Sequence, residues 1–372
     1  MRVCLICIEL FGDSIYGGFG RATRFIGREL VRRGMQVSVV VPRRSATRPD
    51  TYELDGMAVH QFCPQQALRA IRMLRHCRAD VYHSQDTSIG TLLAQIAAPR
   101  AAHIVTFRDP MDRHDWKVET DYANMPRLGW TQYRLFIDNP LVAMAVRRAD
   151  RRYCAARFLI PKTTKMYGLK TRPDFLPSPV QLPREIQKAE RPTVCYVGRW
   201  EGRKRVERFF ELAEQCPEVD FIALGGARDP DRDRSLRERY GGIPNLRMTG
   251  VLDQFVTPEW AEVLGRSWIL VNSSLREGLP TSFIEAAAHR CAILAFTDPD
   301  GFATKFGVVA QEQGGGLKQG LQELLRADRW KALGQEGRRH VEGVFSTDHA
   351  MEAHCRAYEE VFRQKGRGTS RA

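Results

Sequence analysis

The chain has 372 residues, 43% of them apolar, and carries a formal net charge of +13. That length suggests two domains of ordinary size with real hydrophobic cores, which excludes a small disulfide-held scaffold and a chain too polar to fold. No run approaches 18 uninterrupted apolar residues, so a transmembrane helix is not expected, and the opening Met1 to Leu10 is too short and too soon charged for a signal peptide.

In chain order, Arg2 to Ile8 reads as a buried first strand. The glycine loop Tyr16-Gly17-Gly18-Phe19-Gly20-Arg21 follows it and opens a helix from Gly20 to Arg33. Met35 to Val41 is a strand ending in Pro42-Arg43-Arg44, and Ala79 to His83 is another. A helix is expected from Ser88 to Ala98, a strand from Ala102 to Thr106, a helix from Leu141 to Ala149 and a strand from Arg151 to Cys154. This βαβα rhythm argues for a parallel sheet with helices on both faces. It breaks at Leu176-Pro-Ser-Pro-Val-Gln-Leu-Pro183, where three prolines fit neither element and mark an interdomain linker.

The rhythm restarts with strands at Thr193 to Val197, Asp220 to Leu224, Leu246 to Thr249, Trp268 to Asn272 and Ala292 to Phe296. Helices are expected at Val206 to Gln215, Trp260 to Leu264 and Ser282 to His289, and the tail from Lys318 to Arg363 is mostly helical. The implied architecture is α/β, with two Rossmann-like domains facing each other across a cleft. The nine cysteines are an odd, scattered set. Cys4 and Cys7 form a CxxC, but on a strand they point to opposite faces, so buried reduced thiols are expected rather than a metal or redox pair.

The positive charge concentrates on helices. Arg21, Arg24, Arg28, Arg32 and Arg33 line one; Arg69, Arg72, Arg75 and Arg78 line another beside Leu68, Ile71 and Leu74. A solvated surface and an anionic bilayer surface are both consistent with such cationic faces. Nucleic acid is not expected, because no aromatic residues interleave with these arginines.

Three segments carry chemistry. The glycine loop allows close backbone approach and places a helix N-terminus where it favours an anion. Gly18-Phe-Gly20-Arg-Ala-Thr23 nearly matches a dinucleotide fingerprint, with Thr23 in place of the third glycine and no acidic residue after the second strand. The second segment is Gly198-Arg199-Trp-Glu-Gly-Arg203-Lys204-Arg205, a cationic loop at a strand end, where a guanidinium fork and a lysine point charge suit a diphosphate. The third is Ser274-Leu-Arg-Glu277-Gly278-Leu279-Pro280-Thr281-Ser-Phe-Ile-Glu285. It places Glu277 in the loop after a strand and Glu285 one turn into the next helix, at the carboxyl end of a sheet where ligands bind.

Together and in this order, the three segments resemble the GT-B glycosyltransferases of family 4, with its glycine loop, G-R…K run and E-x7-E run. The likeness covers nearly the whole chain, including Leu176 to Val180, Phe345-Ser346 and Tyr358-Glu359. It implies a retaining transferase that moves a sugar from a nucleotide-sugar to an acceptor hydroxyl, on a glycan or lipid-linked glycan, with no cofactor and no metal. It implies that Arg199 and Lys204 bind the donor diphosphate and that Glu277 holds the sugar. Backbone around Gly198 and from Gly278 through Leu279 and Pro280 to Thr281 would approach the donor, Glu285 would take the ribose hydroxyls, and Gly17 and Gly18 would let the first loop close over the diphosphate.

The family's T-x-H-D run reads Thr106-Phe107-Arg108-Asp109 here. Arg108, Asp109 or the nearby His114 are therefore the candidates on the acceptor and sugar side, in a long loop expected from Phe107 to Leu128. Expected domains are 1–178 on the acceptor side, 179–347 binding the nucleotide-sugar, and a helix and basic tail at 348–372 crossing back to the first domain. The expected setting is cytoplasmic, peripheral on a membrane's inner face. A nucleotide-sugar epimerase or phosphorylase, an NADP-binding oxidoreductase on a related fold, and a non-enzymatic binding protein stay open as alternatives.

Overall fold

The computed structural model of the chain describes residues 1–12, 17–43, 49–63, 66–122 and 127–369, with side chains described throughout except at 127, 128 and 367–369. Tyr16 of the glycine loop, Arg44 after the second strand and residues 370–372 of the basic tail lie outside the described residues. The elements are β1 (Arg2–Ile6), α1 (Gly18–Arg32), β2 (Gln36–Pro42), β3 (Thr51–Leu54), β4 (Met57–Phe62), α2 (Ala67–His76), β5 (Val81–Ser84), α3 (Ile89–Ala97), β6 (Ala102–Phe107), α4 (Arg113–Asp121), α5 (Arg127–Ile137), α6 (Pro140–Arg148), β7 (Arg151–Cys154), α7 (Leu159–Tyr167) and β8 (Asp174–Phe175). After the linker come β9 (Thr193–Val197), α8 (Glu207–Gln215), β10 (Asp220–Leu224), α9 (Pro230–Tyr240), β11 (Leu246–Gly250), α10 (Glu259–Arg266), β12 (Ile269–Asn272), α11 (Thr281–Ala288), β13 (Ala292–Ala295), α12 (Phe302–Phe306), β14 (Gly307–Val309), α13 (Gly316–Leu325), α14 (Arg329–Val344) and α15 (Thr347–Thr369).

Contacts divide the chain into two units. The first is Met1–Asp112, Pro126–Pro179 and Asp348–Ala372; the second is Arg113–Met125 and Val180–Thr347. The first unit holds an eight-stranded sheet in the order β3-β4-β2-β1-β5-β6-β7-β8, parallel except for the β3–β4 hairpin. Strand β1 alternates as a fully buried strand must: Val3 and Leu5, with Cys7 just beyond the strand, enter one core, Cys4 and Ile6 the other. The first of these cores takes Ile26 and Leu30 from α1 and Met351, Tyr358 and Val361 from α15, so the C-terminal helix is part of the first unit's packing. The other is closed by α2 and α3, through Ala70, Leu74, Leu93 and Ala97. The second unit holds a six-stranded, all-parallel sheet, β11-β10-β9-β12-β13-β14. Its core is rich in aromatics, with Tyr196, Trp200, Phe209, Phe210 and Phe221 almost fully buried; each such side chain contributes about 2–3 kcal/mol of transfer free energy. Both sheets reverse their strand order once, between β1 and β5 in the first and between β9 and β12 in the second.

Two expectations are corrected. Phe107 to Leu128 is not a single long loop: Arg113–Asp121 is the helix α4, and α5 begins at Arg127. By its contacts α4 falls with the second unit, not within a 1–178 domain. The sequence hides this helix because its anchors are a single buried aromatic, Trp116, and two carboxylates rather than an apolar stripe: Asp115 and Glu119, one turn apart, pair with Arg276 and Arg203. Nor does α1 present a continuous cationic face. Arg21 and Arg24 are buried, and Arg24 pairs with Asp55 at 2.6 Å in the turn between β3 and β4; Arg33 folds back on Glu29 at 2.6 Å. On and just after α2, by contrast, Arg69, Arg72, Arg75 and Arg78 are all exposed. Among the described residues no helix is long and apolar enough to cross a membrane.

Candidate active site

The two chemistry-bearing segments of the second unit meet because β9 and β12 are paired neighbours running in parallel. Their carboxyl ends emerge side by side at the point where the strand order reverses, the place where open parallel sheets bind ligands. The loop after β9 forms a 3-10 turn at Gly202–Lys204. It is stitched to the loop after β12: the Leu275 amide donates to the Arg203 carbonyl at 3.0 Å, and the Ser273 hydroxyl lies 2.9 and 2.8 Å from the carbonyls of Lys204 and Arg205. The Gly225 backbone passes so close that a Cβ there would stand 1.9 Å from the Gly198 carbonyl, at a φ of +139° that favours glycine.

Within this frame the Lys204 ammonium donates to the Glu277 carboxylate, and the Asn272 amide donates to the same oxygen at 3.2 Å. Arg203 stands 4.0 Å from the other Glu277 oxygen. Only 15% of the Lys204 side chain and 7% of the Glu277 side chain are exposed, so the charges act in a medium of reduced dielectric. Burial opposes ionisation of Glu277, yet Lys204 and Arg203 outweigh it and hold the carboxyl at about 2. Burial likewise presses Lys204 down to about 8, with Glu277 the main opposing influence. At pH 7 both partners are therefore predominantly charged.

Arg199 is half-buried at the start of the loop after β9, 3.7 Å from Glu201. Burial disfavours the charged form of Glu201, but Arg199, Arg228, Arg203 and Lys204 together lower its pKa. Gly278 is buried, and Leu279, Pro280 and Thr281 are partly exposed where α11 begins, with Pro280 in the N-cap position. Glu285 is in the second turn of α11 and only 8% exposed. Its carbonyl oxygen is 2.8 Å from the imidazole Nδ1 of His289. Sequence reasoning placed Arg203 and Arg276 within the two segments, and Asn272 at the end of a strand, but gave none of the three a role. The two arginines stand one residue from Lys204 and Glu277, and that proximity was the available signal.

The first unit's loops lie at its own switch point. The Gly20 amide donates to Glu9 at 3.0 Å, so a carboxylate of the chain itself occupies the start of α1, where the sequence suggested an external anion. Gly17 is extended rather than left-handed, and what requires glycine is space: a Cβ would stand 2.2 Å from Glu9 Oε1. Gly18 is the first residue of α1. Arg108, after β6, is 5% exposed and donates to Ser178 Oγ at 2.8 Å and to Gln85 Oε1. Gln85 in turn donates to His83 Nδ1 at 3.0 Å, and His83 Nε2 is 2.7 Å from the Thr106 hydroxyl. Burial, with His354 and Arg108 adding to it, keeps His83 neutral. Asp86, at the end of β5, is the group the sequence did not single out. Burial raises its pKa to about 7, against a hydrogen bond from the Thr87 amide, and Asp109 pushes it further up. Asp109 is half-buried. His114 is exposed on α4 and belongs to the second unit, apart in the chain's division from Arg108 and Asp109. Among the described residues no group of three His, Cys, Asp or Glu side chains is placed to hold a metal ion.

Two family models match, one over each half of the sequence. "Glycosyltransferase Family 4" matches residues 16–184, and "Glycosyl transferases group 1" matches residues 191–326. Among solved structures, sucrose-phosphate synthase from Thermosynechococcus elongatus is similar over 98% of this chain and 100% of that one, with a TM-score of 0.74 and 16% identity. Anabaena Alr3699/HepE, solved in complex with UDP and glucose, matches over 96% of this chain and 99% of its own, with a TM-score of 0.71 and 11% identity. WaaG, a glycosyltransferase involved in lipopolysaccharide biosynthesis, matches over 96% and 99%, with a TM-score of 0.67 and 17% identity. Compared with curated proteins, the sequence has no significant match.

Proposed function

The chain belongs to the GT-B glycosyltransferases of family 4, group 1, and is a transferase that takes its sugar from a nucleotide-sugar; from that premise we propose that it transfers the sugar with retained anomeric configuration to a hydroxyl of a glycan or lipid-linked glycan, with the second unit binding the donor. The observation that carries this reading is the buried Lys204–Glu277 pair at the switch point of the second sheet. Lys204 and Arg199 meet the diphosphate, and Glu277 takes hydroxyls of the sugar. Backbone from Gly278 to Thr281, and around Gly198, lies against the donor, and Glu285 grips the ribose. In the first unit Gly17 and Gly18 give the glycine loop its close approach, and Arg108 and Asp109 belong to the acceptor side.

The acceptor oxygen attacks the anomeric carbon on the face the leaving group departs from. The bond from that carbon to phosphate oxygen breaks, its electron pair goes to the diphosphate, and a phosphate oxygen takes the acceptor's proton. The negative charge that develops on the diphosphate is met by fixed cations, each worth on the order of 100-fold in rate. The exposed arginines of α2, with Leu68 74% exposed beside them, suit an anionic membrane surface carrying a lipid-linked acceptor, on the cytoplasmic side.

The test is a thermal-shift screen of nucleotide-sugars, beginning with UDP-sugars because a similar fold was solved with UDP and glucose. The matching donor raises the melting temperature of the wild type. Lys204→Ala and Glu277→Ala keep the native circular dichroism but lose the shift and nearly all transfer. Wild-type turnover in either variant overturns the reading.

A further inference from the structure

Arg203 and Arg276 flank the Lys204–Glu277 pair, and the donor-site reading gives neither of them a role. Both are deeply placed, with 13% and 8% of their side chains exposed. Arg203 Nε and Arg276 Nη1 each reach the same oxygen of Glu119, both at 2.6 Å, while Arg276 Nε reaches Asp115 at 3.2 Å. Arg203 also donates to the Arg276 carbonyl at 2.9 Å, which ties the two loops together beneath the guanidinium groups. One oxyanion held by two guanidinium forks is the arrangement a phosphate oxygen takes between arginines. Here a carboxylate of α4 fills it.

The fit of α4 to this place is built in. A Cβ on Gly202 would stand 2.6 Å from the Tyr122 carbonyl, so the turn carrying Arg203 and Lys204 has no side chain where the end of α4 lies on it. Charge is balanced as well: two arginines face two carboxylates, and a diphosphate brings comparable negative charge.

We propose that Arg203 and Arg276 are further ligands of the donor's diphosphate, and that Asp115 and Glu119 of α4 hold them as an internal stand-in until the donor displaces those carboxylates. This rests on the donor-site reading above. The stand-in keeps two buried cations compensated in the free enzyme, where an uncompensated buried charge would be costly. It also makes donor affinity a competition, so removing the internal anion strengthens binding and removing the arginines weakens it.

The experiment uses the full chain and inorganic pyrophosphate, which reports on the diphosphate site whatever the donor's base, by calorimetric titration at low salt. Glu119→Gln keeps the shape and removes the charge, and it is expected to bind pyrophosphate about tenfold more tightly than wild type. Arg276→Gln and Arg203→Gln are expected to bind it at least about tenfold more weakly, the scale of one charged hydrogen bond. Glu119→Asp, which keeps the charge on a shorter arm, should stay near the wild type and guards against a folding defect in the neutral variant. Unchanged or weaker binding in Glu119→Gln, with Glu119→Asp native-like, overturns the inference. Lys204→Gln separates the two layers. If it loses pyrophosphate while the Glu119, Arg203 and Arg276 variants leave affinity unchanged, this inference falls and the donor-site reading stands. If it binds as wild type does, the donor-site reading falls with it.

Discussion

Replacing Glu277 with glutamine should change the pH at which the enzyme loses its donor. In the wild type Lys204 titrates at about 8, pushed down by burial and held up by Glu277. Two unit charges about 4 Å apart at an effective dielectric near 20 interact by about 4 kcal/mol, or roughly three pKa units. Arg203 already claims part of the Glu277 charge, so the loss felt by Lys204 alone is smaller, at least about one unit. At pH 7.5 the wild-type lysine is then roughly three-quarters protonated and the variant's no more than about a quarter. Donor affinity, measured by calorimetry from pH 5 to 10, should hold steady in the wild type up to about pH 8 and fall about tenfold per unit above it. In Glu277→Gln the break should come at least about one unit lower, with partial recovery of affinity at pH 6. Glu277 itself does not blur the result, because it is ionised over this whole range. Nor does unfolding. The folded-state pKa of Lys204 is below its ordinary 10.5, so between 8 and 10.5 the unfolded chain binds more protons and this group's contribution to stability rises with pH. A break at the same pH in both proteins would refute the idea that the pair sets the charge of the diphosphate site.

Asp86 gives the opposite sign. Its folded-state pKa of about 7 is above the ordinary 3.8, so its penalty grows as pH rises through that window and is complete above it; Asp86→Asn should stabilise the protein at pH 8, by up to about 4 kcal/mol, and change little at pH 4, as calorimetric melting would show. The two arginine-bearing helices should also part company. Arg72→Glu with Arg75→Glu, on exposed α2, should weaken co-sedimentation with anionic vesicles at least about tenfold at low salt and leave the melting temperature unchanged. Arg24→Met should leave vesicle binding alone and lower the melting temperature, because Asp55 loses its buried partner.

That contrast shows what sequence can and cannot convey about charge. Both helices carry arginines at helical spacing, and spacing alone made both look like exposed cationic faces, open to solvent or to an anionic bilayer. The difference lies in partners remote in sequence: Asp55, 31 positions from Arg24, turns a cationic stripe into an internal ion pair. Most strands of both sheets were legible because a parallel strand buried on both faces is a near-continuous apolar run, as in Val39-Val40-Val41 and Ile269-Leu270-Val271; β8 and β14, of two and three residues, are too short to give that signal. The hairpin β3–β4 was not, since its first strand, Thr51–Leu54, is largely exposed and breaks that pattern.

The site divides along the same line. Glu277 and Lys204 could be found because each follows a recognisable strand, and parallel pairing of β9 with β12 then obliges their loops to meet. The contact itself adds what neither motif contains: a carboxylate held ionised by two cations and a lysine whose pKa is lowered to about 8. The α4 carboxylates are the harder case. Asp115 and Glu119 lie 161 and 157 positions from Arg276, on a helix with no apolar period, and only the folded chain shows that they meet Arg203 and Arg276. A polar segment between two clear elements reads as a loop whenever its partners are charges rather than a core. Here that reading concealed a carboxylate, Glu119, whose neutralisation should make the enzyme bind pyrophosphate better, which is the opposite of what removing a charged group from an active site ordinarily does.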